Sequence, residues 1–132
     1  MIALFVEVRN KRLAVIANAL DAAVDGGLLR IYSAPRPAID EALVDQDLLV
    51  EIRLPKPCTA SVDNGTLIFA PIGAALCRRS GDAVWARLLD GDEHPVADMD
   101  VGLVGSNAEI ALSKTALLAG GAVNVSIAEI ID

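Results

Sequence analysis

Past Gly26-Gly27 the spacing of apolar residues changes, and it does not change back. Before the glycines it is helical. After them it alternates, and Pro, Gly and Asn repeatedly cut it into short runs. LLRIYS (28–33) alternates Leu29, Ile31 and Ser33 against Leu28, Arg30 and Tyr32, and the prolines of 35–37 stop it. LLVEIRL (48–54) is a second run, closed by Pro55 and Pro57. CTASVDNGTLIFA (58–70) is the strongest hairpin signal, because Asn64-Gly65 tolerates positive φ and strand-forming residues flank it. Further runs are DAVWARLLD (82–90), VADMDVGLV (96–104), NAEIALS (107–113) and VNVSIAEII (123–131). In the last, Val123, Val125, Ile127 and Ile131 would share one side, with Asn124, Ser126 and Ala128 on the other. In NAEIALS, Ala108, Ile110 and Leu112 would share a face. Residues 71–76 read as a further extended stretch, 78–81 as a turn, and 38–46 as a connection of no assigned form.

The helical segment covers about residues 10–25. Leu13, Ile16, Ala17, Leu20 and Val24 form one apolar stripe, with Asn10 as its cap and Gly26-Gly27 as its end. Arg9, Lys11, Arg12, Asp21 and Asp25 would face water. Short strands at these intervals point to a mainly β fold. The expectation is an antiparallel β-sandwich, jelly-roll-like or barrel-like, with one N-terminal α-helix over or beside a sheet. A length of 132 residues suits a single domain over 1–132, with the β region at about 28–131. Apolar residues make up 54% and aromatics only 3%, so Ala, Val, Leu and Ile must build the core.

The net charge of −7 argues against nucleic acid, whose phosphates attract Lys and Arg. No apolar run approaches the roughly 18 residues a membrane span needs. In MIALFVEVRNKR the apolar residues precede the basic ones and no cleavage site follows, so a cytoplasmic origin is expected. Cys58 and Cys77 form no C-x-x-C pair and read as two buried thiols.

The densest cluster of ionisable groups is LLDGDEHPVADMD (88–100), with five carboxylates and the sole histidine. An EF-hand loop started at Asp90 places Pro95 where glycine belongs and Val101 where the closing glutamate belongs. Zinc would need more His or Cys than His94 offers. A carboxylate pair for glycoside cleavage would need one member buried. No G-x-S-x-G elbow is present. A hairpin accounts for the stretch more simply. With a loop at 90–95 and Leu89 opposite Val96, Leu88 faces Ala97, Ala86 faces Met99 and Val84 faces Val101. Arg87 then faces Asp98 as a cross-strand ion pair, and Trp85 faces Asp100. Asp90 and Asp92 suit turn positions. No catalytic, metal or cofactor residues are expected. Asp90, Asp92, His94 and Trp85 remain as candidate contacts for a partner.

The order of the pieces is also informative. They run Arg9-Asn10-Lys11-Arg12-Leu13, Leu29-Arg30-Ile31-Tyr32, Arg36-Pro37, Leu48-Leu49-Val50-Glu51, Ala83-Val84-Trp85-Ala86-Arg87, Asp90-Gly91-Asp92 and Asp98-Met99-Asp100-Val101-Gly102. The whole resembles a family of small hypothetical or virion structural proteins of tailed phages and prophages. That resemblance implies a non-enzymatic structural or assembly protein, binding copies of itself or other virion proteins, with a homo-oligomer expected. It would be made in the bacterial cytoplasm and end in the virion. The strand at 123–131 is a candidate for such pairing, and Glu129, which interrupts its apolar face, would limit uncontrolled pairing if the strand lay at an edge. Two other classes are open. A carbohydrate- or ligand-binding β-sandwich module would need Trp85 or Tyr32 exposed. A hydrolase would need carboxylates of the 90–100 stretch converging in a pocket.

Overall fold

A computed structural model describes residues 2–132. The chain is mainly β with one N-terminal helix, as the alternation predicts. Helix α1 is Val6–Asp21. The strands are β1 (Leu28–Tyr32), β2 (Leu48–Arg53), β3 (Thr59–Asp63), β4 (Thr66–Phe69), β5 (Ala75–Leu76) and β6 (Gly81–Asp82). They continue with β7 (Trp85–Leu89), β8 (Pro95–Leu103), β9 (Ile110–Leu112), β10 (Ala116–Leu117), β11 (Ala122–Val123) and β12 (Val125–Ile131). Eight of them form a mixed sheet in the order β2-β1-β7-β8-β9-β12-β4-β3, curled into a half-barrel. Two short ribbons, β6 with β10 and β5 with β11, add to it. No helix is long and apolar enough to cross a membrane among the described residues.

Helix α1 differs from expectation at both ends. It starts at Val6 behind an extended Phe5 that offers no side-chain cap, so Asn10 lies inside the helix. Asn10 serves tertiary structure instead: its Oδ1 accepts the Gly65 N–H at 2.8 Å and fastens the helix to the β3–β4 turn. Glu7 in the first turn complements the helix dipole that the later basic residues oppose. Leu13, Ala17 and Leu20 are buried as the stripe requires, but Val24 lies past the helix and is 90% exposed. Two residues expected in water are also used. Asp21 accepts the Cys58 N–H at 3.0 Å, and Arg9 donates to the Asp132 carbonyl at 3.0 Å.

The Asn64-Gly65 turn forms as expected, with φ of 51° and 73° joining β3 to β4. The run at 82–90 is not one strand: β6 and β7 are separated by Ala83-Val84. Residues 71–76 are extended in a ladder only at β5. The sheet is not wholly antiparallel, since β8 and β9 run parallel with Val101 opposite Ile110. The return between them is short, and it folds Ser106 over β8. An added Cβ on Gly102 would lie 2.3 Å from the Ser106 Oγ. In β9 Ile110, Ala111 and Leu112 are all buried, not just alternate ones.

Strand β12 shows the largest departure. A register shift between Val125 and Ile127 reverses its alternation. Val123 and Val125 face the core, then Ala128 and Ile130 do, while Ile127 and Ile131 are exposed. The strand is also not an edge. It pairs with β9 on one side and β4 on the other, and β2 and β3 form the edges.

Both cysteines are free and buried. Burial, followed by the nearby Asp21 carboxylate, pushes the Cys58 thiol up to about 12. It stays neutral and packs as a small apolar side chain.

The Asn10 contact gives a direct measurement. Asn10→Ala leaves the Gly65 N–H without its side-chain acceptor and is expected to cost about 1 kcal/mol. A urea titration should show a lower midpoint at unchanged slope; an unchanged midpoint would mean the bond contributes nothing.

Candidate functional site

The residues singled out by sequence all lie on the β7–β8 hairpin, and the hairpin forms in the expected register. Trp85 faces Asp100, Ala86 faces Met99, Arg87 faces Asp98 and Leu88 faces Ala97. The Val101 N–H donates to the Val84 carbonyl at 3.1 Å, which extends the pairing. One detail is corrected. Leu89 pairs with Pro95, not Val96, and a bulge takes up the extra residue. Proline is tolerated because it opens β8, while the loop closes through the Asp90 N–H to the His94 carbonyl at 3.0 Å.

The loop is organised by Asp90. Its Oδ1 accepts the Asp92 and His94 N–H groups, each at 2.9 Å, and its Oδ2 lies 3.3 Å from His94 Nδ1. These contacts, led by the His94 N–H, hold the Asp90 carboxyl below the usual carboxylate range. Donor atoms of Asp90, Asp92 and His94 lie within 4.8 Å of one another. That could suggest a cation, but Asp90 Oδ1 is already occupied by two backbone donors. The cluster has the geometry of a turn stabilised by an aspartate. Nor is the loop free. An added Cβ on Gly91 would lie 2.1 Å from the Ala23 Cβ, so the loop rests on the turn that follows α1.

Behind the loop lies a charged row that the sequence did not disclose. Register places Glu51, Arg30, Arg87 and Asp98 side by side across β2, β1, β7 and β8. Two arginines directly opposite would repel. Each is therefore neutralised from the outside. Arg30 Nε donates to Glu51 at 2.7 Å, and Arg87 meets Asp98 with two bonds at 2.7 and 3.1 Å. Glu93 reaches back from the loop to Arg30, which ties the turn to the row. Only knowledge of the strand order could have found this, since Arg30, Glu51 and Glu93 are far apart in sequence.

Trp85 stands in the next row, on the sheet face away from the helix. Tyr32 stacks on it with ring centroids 4.6 Å apart, and the Arg87 guanidinium lies 5.2 Å from its ring. Trp85 is 0% exposed and Tyr32 5%. Trp85 as a surface contact is therefore corrected: it is internal, and neither ring presents the open platform a carbohydrate would need. The Trp85 Nε1–H is buried without a hydrogen-bond partner among the described residues. No protein-family model, curated protein or solved structure matches the chain.

Two measurements test this arrangement. The Arg87–Asp98 side chains are only 14% and 9% exposed, so the pair should be worth more than a surface bridge. A double-mutant cycle with Arg87→Ala and Asp98→Ala should give a coupling of about 1–3 kcal/mol; a value near zero would refute it. Asp90 has a lowered carboxyl pKa, so its stabilising effect is complete above the usual carboxylate range and disappears as pH falls through the folded value. The gap in urea midpoint between the native chain and Asp90→Ala should be constant near pH 7. It should then close below about pH 4, and a gap unchanged at low pH would contradict this account.

Proposed function

We propose that this chain is a non-enzymatic structural or assembly protein of a phage or prophage, acting through contacts with copies of itself or with other virion proteins. The observation that carries the reading is the placement of its apolar side chains. Ile68, Ile127 and Ile131 stand exposed on the outer face of β4 and β12, at 44%, 40% and 72%. Phe5, just before α1, and Val8 and Val15 on the outward side of the helix are exposed, at 86%, 45% and 67%. Aliphatic groups in such number on a rigid β frame are what a protein uses to bury itself against neighbours. The virion setting rests on the resemblance in the order of sequence pieces.

The reading is tested in two steps. Purified protein should sediment as more than a monomer at micromolar concentration, or particles from an induced lysogen should contain it by mass spectrometry. A chain that is monomeric and also missing from purified particles would overturn the proposal.

A further inference from the structure

The long connection between β1 and β2 covers the aromatic face of the sheet, and we infer that it is a hinged strap whose lifting uncovers Trp85 and Tyr32. The base of the strap is closed. The Ser33 N–H donates to the Asp47 carbonyl at 3.0 Å, and the Asp47 N–H donates back to the Ser33 Oγ at 3.1 Å. Residues 34–46 thus form a loop with joined ends, of the kind that moves as a unit. Its path is fixed by its contacts. The chain leaves β1 at Tyr32 and meets β8 where Arg36 pairs with Asp100 at 3.5 Å. Tyr32, Trp85 and Asp100 lie in one row across β1, β7 and β8, so the strap crosses over Trp85. It then runs beside Arg87 and Asp98, with Ile39 and Glu41 lining a groove of about 340 Å³ against them.

The strap is weakly held for a segment that crosses a row holding a buried indole. Arg36–Asp100 is its one ion pair to the sheet among the described residues, and those side chains are 41% and 64% exposed. Its other hydrogen bonds are local, such as Gln46 Nε2 to the Pro35 carbonyl at 2.9 Å. Its large apolar residues do not anchor it either: Ile39 is 77% exposed and Val44 89%. Two non-glycine residues, Ala34 and Asp40, sit at φ of 63° and 65°, in the left-handed region that disfavours an L side chain. The closed form therefore combines local strain with few anchors, which places the strap at the low-stability end of the fold. The face beneath is different. Trp85 and Tyr32 are stacked, Arg87 is locked to Asp98, and the ladder of β1 and β7 continues through both rings. That face would stay formed when the strap lifts. Its indole N–H, unpartnered in the closed form, would then become available to an acceptor.

Trp85 is the only tryptophan, so indole fluorescence reports on this site alone. Acrylamide quenching of the full chain should be low at low salt. It should rise by about twofold in Arg36→Ala, the scale set by loss of one exposed ion pair. Asp100→Asn should do the same, which guards against a folding defect of one variant. Salt should raise quenching in the native chain and have little further effect in Arg36→Ala. Hydrogen exchange should show residues 34–46 opening while the amides of β7 stay protected. The inference is overturned if both variants quench like the native chain. It is equally overturned if Trp85 becomes accessible only together with loss of β7 protection.

Discussion

The pairing of β1 with β7 is the constraint around which the molecule is built, because both strands are buried on both faces. Leu29, Ile31, Ala86 and Leu88 point to the main core, and Leu28, Tyr32, Trp85 and Leu89 are buried on the opposite side. A sheet covered on one side only would leave Trp85 in water. Two covers are therefore needed. Helix α1 adds Leu13, Ala17 and Leu20 to the core on one face, and the connection after Tyr32 runs along the other. The four-residue charged row runs through the middle of this doubly covered region. It is tolerable there because each arginine has a carboxylate on its outer flank.

The parts of the fold legible in sequence are those decided by neighbours in the chain. The register of Arg87 against Asp98 could be read because one slip would have exchanged every side chain between faces. Asn64-Gly65 could be read because few residues accept those φ values. What stayed hidden was decided at long range. Asn10 looks like a cap, yet its amide serves a turn 55 residues away. The alternation of 123–131 looks unbroken, yet a bulge beside Ser126 reverses which residues face inward. The connection at 104–109 carries the Gly, Ser and Asn of a turn, yet it returns the chain to a parallel neighbour.

The candidate site shows the same division. Asp90 as a turn residue followed from the types of residue around it. The burial of Trp85 did not, since nothing in residues 34–46 marks them as a cover for β7. Count and proximity of carboxylates were poor guides to chemistry here. Asp90 is occupied by backbone donors, Glu93 by Arg30, and Asp98 by Arg87. The acidic stretch is spent on holding the hairpin together.

The attachment of α1 to the far end of the chain bears on how the molecule is made. Arg12 Nε meets the Asp132 carboxylate at 2.8 Å, across 120 residues of sequence, and Arg9 reaches the Asp132 carbonyl across 123. An element early in the sequence is thus completed by a residue 120 positions later. Its inner stripe must wait, apolar and uncovered, until β3, β4 and β8 arrive to receive it. Such distant pairings put folding on the slow side, in the millisecond-to-second range of sheet proteins. For that interval the helix is the surface by which an unfinished chain would meet another one.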